Sequence, residues 1–126
     1  TQLQQDSGND AGDTVVLGFS QGGAMALELL LRRPDDIGGV AFLSGLWSKK
    51  RMPAEPASAG VRGKPVLQTH GVGDPLIPIA EARISRDLFG ELGVELTYQE
   101  YDMGHQIDAD CLRDLSDWLR VRIDGD

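Results

Sequence analysis

The sequence predicts an α/β fold built on a parallel sheet. Three observations carry this. Short apolar, β-branched runs alternate with longer helix-like segments along the chain. The early runs are apolar at successive positions, as in strands covered on both faces. Glycine and proline mark the stops between segments. Strand, helix, strand in this order implies right-handed crossovers.

Residues 1–12 are polar, with Gly8, Asn9 and Gly12, and read as a frayed helix end and a loop. Residues 14–19 (TVVLGF) read as the first strand, buried on both faces. Residues 20–33 are apolar almost all round and read as a buried helix stopped by Pro34. Residues 39–44 (GVAFLS) form the second strand. Residues 47–64 carry Pro, Ala and Gly with weak periodicity and read as a plain variable loop. Residues 65–70 (PVLQTH) form the third strand. Residues 79–92 place Ile84, Leu88 and Leu92 at i, i+4 spacing among charges, an amphipathic helix ended by Gly93. Residues 94–101 alternate, as a strand near an edge does. Residues 110–123 place Leu112, Leu115 and Leu119 on one face, beside Cys111 and Trp118, as a closing helix.

A chain of 126 residues builds one domain with one modest core. Its apolar fraction of 40% and charged fraction of 25% are those of a globular protein. A net charge of -8 argues against nucleic acid or an anionic membrane as partner. The single cysteine, Cys111, excludes an internal disulfide and points to a reducing, cytoplasmic compartment. No apolar run reaches the roughly 18 residues of a spanning helix. The chain opens without Met, which suggests that it begins inside a longer one.

Sites in parallel sheets form at the carboxyl ends of strands. After the first strand comes Gly18-Phe19-Ser20-Gln21-Gly22. A serine between strand and helix is either an N-cap or a nucleophile on a strained turn. Such a turn needs small neighbours, which Gly18 and Gly22 supply, while Gly23 adds room for close packing. The backbone N–H of Gln21, at the helix N-terminus, can donate to a developing oxyanion. Asp74 follows the third strand in a Gly/Pro-punctuated loop, where an Asp-Pro turn is the plain alternative. His105 follows the fourth strand.

A serine alcohol needs a base within reach and a carboxylate to hold that base's tautomer. Ser20, Asp74 and His105 occur in that order, each just past a strand. His70 is the rival base and reads better as a strand-end support for the Asp74 loop. Asp102 is the rival acid, and Asp108 suits a helix N-terminus. One Cys and two separated His offer no metal site, and the glycine-rich turn lacks the Lys of a nucleotide loop.

The segments "LGFSQGGAMAL", "LSG", "VLQTHGVGDPLIP" and "MGHQI" resemble the phospholipase/carboxylesterase family of α/β-hydrolases, which includes the acyl-protein thioesterases. The likeness runs over residues 14–118. It implies an α/β-hydrolase sheet truncated to its last four strands, so that residues 1–126 are one partial domain. It implies a serine hydrolase of carboxylic esters, thioesters or lysophospholipids that needs no cofactor. Ser20 would be the nucleophile, Asp74 the acid, His105 the base, and Gln21 one oxyanion donor. Leu76 would touch the acyl chain, and Trp47 would lie beside the substrate cleft.

In that family further strands precede the nucleophile and carry a second oxyanion donor. Their absence leaves residues 14–19 as an open apolar edge, inviting self-association. Losing one oxyanion donor costs about 100–1,000-fold in rate. Two other readings stand beside the esterase: an inert fragment or interaction module, and a dienelactone-hydrolase-like or peptidase-like α/β-hydrolase. The dienelactone type would carry Cys at position 20, where this chain has Ser.

Overall fold

The computed structural model describes residues 2–3, 14–53 and 59–124; of residues 2, 3, 123 and 124 it describes the backbone alone. The elements run β1 (Gln2–Leu3), β2 (Val15–Phe19), α1 (Gln21–Arg32), β3 (Gly39–Leu43), β4 (Pro65–Gly71), α2 (Ile79–Leu92), β5 (Glu95–Tyr101) and α3 (Ala109–Asp124). The expected strands and helices are met to within one residue at each end. The sheet order is β1-β2-β3-β4-β5, with β2 to β5 mutually parallel.

β1 corrects one expectation. Gln2 and Leu3 are not part of a frayed helix or loop. They pair antiparallel with β2, Gln2 opposite Val16 and Leu3 opposite Val15. The β2 edge is therefore covered over Val15 and Val16 and is not open along its length. An edge strand presents backbone N–H and C=O groups that any passing segment can satisfy, whatever its own propensity. The rest of the N-terminal stretch, 4–13, lies outside the described residues.

Pleating divides the strand side chains between two cores. Val16, Val40, Phe42 and Val66 meet Leu27 and Leu30 of α1 and Phe89 and Leu92 of α2. Phe42 and Phe89 stand edge to face with ring centroids 5.0 Å apart. Val15, Ala41, Leu43 and Leu67 meet Leu115 and Trp118 of α3. Every residue of β3 is buried, so its unbroken apolar run follows from helices on both faces. Each fully buried Leu, such as Leu27 or Leu30, contributes about 1.5–3 kcal/mol by leaving water.

Two helices sit rotated from their expected faces. On α2, Ile84 is half exposed, and the buried stripe is Ala82, Ser85, Leu88, Phe89 and Leu92. The larger Phe89 and the hydrogen-bonded Ser85 set that rotation. On α3, Leu112 is exposed, while Cys111, Leu115 and Trp118 face the sheet at i, i+4, i+7. Asp108 caps α3 as expected, its Oδ1 accepting the Cys111 N–H at 2.9 Å. Gly93 ends α2 in the left-handed region, φ 76°. The stretch 47–64, expected as a plain loop, holds short 3-10 turns at Lys49–Arg51 and Ala59–Val61.

Candidate active site

Strand β2 delivers Ser20 to the carboxyl edge of the sheet. Ser20 has φ 60° and ψ -123°, a conformation strained for any side chain. Its N–H donates to the Leu43 carbonyl at 2.7 Å, which fixes the turn against β3. Although it occupies the N-cap position of α1, its side chain makes no capping bond. The hydroxyl is thus left to point elsewhere.

The turn closes by backbone approach. A Cβ on Gly18 would stand 2.0 Å from the Gly22 carbonyl oxygen, so nothing larger than glycine fits there. A Cβ on Gly22 would meet nothing within 4 Å. Gly22 is therefore not needed for its small size, contrary to expectation. Gly18 and Gly23 make the close contacts, Gly23 against the Gly18 carbonyl and Phe42.

The Ser20 hydroxyl lies 2.9 Å from His105 Nε2, and His105 Nδ1 lies 2.6 Å from Asp74 Oδ2. An ionised carboxylate only accepts, so Nδ1 carries the proton. Nε2 is then the acceptor for the Ser20 O–H. The Asp74 Oδ1 accepts the N–H groups of Leu76 and Ile77 at 2.8 and 2.9 Å. Burial pushes the Asp74 carboxyl up. The bonds from Ile77, His105 and Leu76 outweigh it and hold the group below the usual 3.8. Asp74 is accordingly ionised through the neutral range.

The loops that carry these side chains are tied together. A Cβ on Gly71, at the end of β4, would stand 2.2 Å from the Met103 carbonyl oxygen. This close passage brings the Asp74 loop against the His105 loop, and the Gly73 N–H donates to Met103 at 3.1 Å. The Phe19 ring lies against the imidazole of His105, centroids 4.9 Å apart. His70 is fully buried behind Asp74, as expected of a support for that loop, with Nε2 2.8 Å from the Ile77 carbonyl. Asp102 is exposed and makes no bond to His105.

A cleft of about 660 Å³ opens beside Ser20. Ala24, Met25, Leu46 and Ile77 form its apolar wall; Ser20, Gln21, Ser48 and Arg51 are its polar groups. Two expected substrate contacts lie off it. Trp47 is fully buried in the core, and its neighbour Leu46 faces the cleft instead. Leu76 is exposed but does not line the cleft, and its contribution is the backbone N–H on Asp74. Leu46, Arg51 and Ile77 were not visible beforehand, because they stand in aperiodic loops where sequence spacing carries no direction. Among the described residues, no group of three or more His, Cys, Asp or Glu is placed to hold a metal. No described helix is long and apolar enough to cross a membrane.

The sequence profile of the phospholipase/carboxylesterase family matches residues 2–123. The chain belongs to this family. Among curated members, acyl-protein thioesterase 1 of Gibberella zeae is 33% identical over 125 residues, 97% of this chain and 53% of that protein. A protein of Oryza sativa subsp. japonica, named a probable inactive carboxylesterase, is 34% identical over 103 residues, 81% of this chain and 42% of its own length. The crystal structure of Arabidopsis thaliana SOBER1 superposes with a TM-score of 0.77 at 27% identity, covering 92% of this chain and 56% of that one. The chain thus spans about half the length of the family members it matches. Its sheet and flanking helices are those of an α/β-hydrolase.

Proposed function

We propose that this chain is one partial α/β-hydrolase domain, the catalytic part of a serine hydrolase that cleaves carboxylic esters through an acyl-enzyme. The observation that carries the reading is the unbroken hydrogen-bond path from the Ser20 hydroxyl through His105 to Asp74. A strained serine that does not cap its helix supports it.

In the first step His105 Nε2 takes the Ser20 proton while Oγ bonds to the ester carbonyl carbon. Negative charge gathers on the carbonyl oxygen, and the Gln21 N–H, free of an intrahelical partner at the first turn, donates to it. The tetrahedral adduct collapses as His105 passes its proton to the departing alcohol. Water then gives a proton to Nε2 and attacks the acyl carbon. The second adduct releases the acid and returns the proton to Ser20. Asp74 stays ionised and holds the imidazole tautomer throughout. The apolar wall of Met25, Leu46 and Ile77 receives the acyl group. Thioesters enter by the same route, as the name of the Gibberella zeae relative suggests.

The test is labelling of the full-length protein with a fluorophosphonate probe. Modification at Ser20, lost in Ser20→Ala together with hydrolysis of p-nitrophenyl esters, is the expected result. An unlabelled Ser20, or an active Ser20→Ala variant, overturns the reading. A second reading, an inert family member, is favoured by the name of the Oryza sativa relative. Turnover of a p-nitrophenyl ester by the isolated chain would sink it.

A further inference from the structure

Arg51 is the one charged side chain among the described residues that line the cleft beside Ser20. The chain is strongly acidic, with 20 Asp and Glu against 12 Lys and Arg. Most of its basic groups near carboxylates are paired: Arg33, Arg83, Arg86, Arg113, Arg120 and Arg122 all hold ion pairs. Arg51 holds none among the described residues, and neither do Lys49 and Lys50 on the same 3-10 turn.

Arg51 is also held in place. Its guanidinium carbon lies 5.7 Å from the centroid of the Trp47 ring, within cation–π range. The Trp47 backbone is itself clamped, for its main-chain N–H donates to Ser85 Oγ at 2.9 Å and its carbonyl accepts from the same hydroxyl at 3.1 Å. Both residues of this clamp are buried. A cation set over a buried aromatic, lining the same cleft as Ser20, is a partner for a negative group.

We propose that Arg51 is an anion subsite of this cleft, and that the substrate is an ester carrying a second, anionic group, a carboxylate or a phosphate. The inference rests on the hydrolase reading above and narrows its substrate class. The planar guanidinium offers two parallel N–H donors that match either oxyanion. In open solvent such a pair would contribute little. In a cleft filled by an acyl group, water is displaced and the pairing strengthens. Lys49 and Lys50, on the same 3-10 turn as Arg51, add positive potential beside it, against the net negative charge of the chain.

The experiment compares kcat/KM of the full-length protein for three esters. These are neutral p-nitrophenyl butyrate, the p-nitrophenyl monoester of glutarate with its acyl-side carboxylate, and acetyl glycerol 3-phosphate with its alcohol-side phosphate. At least one anionic ester is expected to be preferred, and Arg51→Gln is expected to lower its kcat/KM relative to butyrate about tenfold or more. Which anionic ester responds identifies the side on which the charge sits. An unchanged ratio in Arg51→Gln for both anionic esters overturns the proposal. Turnover of none of the three overturns the hydrolase reading instead. The subsite is then read directly, by titrating glutarate or inorganic phosphate against the Arg51 Nε–H resonance. A shift that saturates and vanishes in Arg51→Gln supports the subsite, and no shift overturns it.

Discussion

His70 Nε2 lies 3.4 Å from Asp74 Oδ2, with both side chains sealed from solvent. The same nitrogen is 2.8 Å from the Ile77 carbonyl, which can only accept, so Nε2 bears a proton. His70 Nδ1 is buried without a partner. A bare nitrogen there is tolerable, whereas a buried unpaired N–H would be costly, so the ring is neutral. Its single N–H is donated to the Ile77 carbonyl, beside the carboxylate that orients His105. His70→Leu is expected to lower kcat about tenfold on a p-nitrophenyl ester, with a smaller change in KM, the cost of about one hydrogen bond. His70→Gln, which restores an N–H at similar reach, should recover most of it. Equal losses in both variants would mean that the imidazole matters for packing alone.

Ser20 separates catalysis from stability. Its φ of 60° is the kind of backbone strain that costs about 1–3 kcal/mol in a residue with a side chain. Ser20→Ala removes the proposed nucleophile and keeps the strain. Ser20→Gly removes both, offset in part by the greater freedom of glycine in the unfolded chain. Both variants should lose probe labelling and ester turnover. Urea denaturation should find Ser20→Gly the more stable of the two by about 1 kcal/mol. Equal stabilities would mean that the turn is unstrained.

Gly71 and Gly22 make a matched pair. Alanine at 71 drives its Cβ into the Met103 and Gly104 carbonyls, 2.2 and 2.4 Å away, and must push the His105 loop from the Asp74 loop. A displacement of about 1 Å at that distance is enough to cost about 100-fold in rate. Gly71→Ala should therefore lose about 100-fold in kcat/KM and about 1–3 kcal/mol in stability. Gly22→Ala meets nothing within 4 Å and should keep both. Steady-state kinetics and urea melts of the two variants check this.

The inner strands were legible because they are buried on both faces, as Val40 to Leu43 is, and β5 because its exposed and half-buried residues alternate. The Ser20, Asp74 and His105 positions were legible because strand ends in a parallel sheet converge on one edge. What escaped was set by tertiary contact. Gln2 and Leu3 pair with β2 because its edge is available, not because of their own propensity. Trp47 turns inward and Leu46 outward in the loop that leaves β3 through Ser44 at φ 53°, where no regular period sets which side chain faces the core. Ile84 and Leu112 satisfied a helical period yet lie outside, since several faces of α2 and α3 are apolar enough to qualify and packing selects among them.

Acid should weaken an ion pair at the edge of the sheet. Arg83 donates twice to Glu100, at 2.9 and 3.0 Å, and the Tyr98 hydroxyl donates at 2.6 Å. The Arg83 bonds, then Tyr98, hold the Glu100 carboxyl down at about 2, against an ordinary value of 4.5. A carboxyl depressed on folding stabilises the native state above its unfolded value, and that contribution fades as pH falls through the folded one. Glu100→Gln removes the charge at every pH. The wild-type advantage over this variant should therefore be full at pH 7 and shrink as the pH drops from about 4.5 toward about 2. Arg83 is half exposed, so solvent screening keeps the advantage small, and added salt should reduce it further. Urea denaturation of both proteins across that range measures it. An advantage that persists unchanged to pH 2 would place the contribution in packing of the Tyr98 ring rather than in the charge on Glu100.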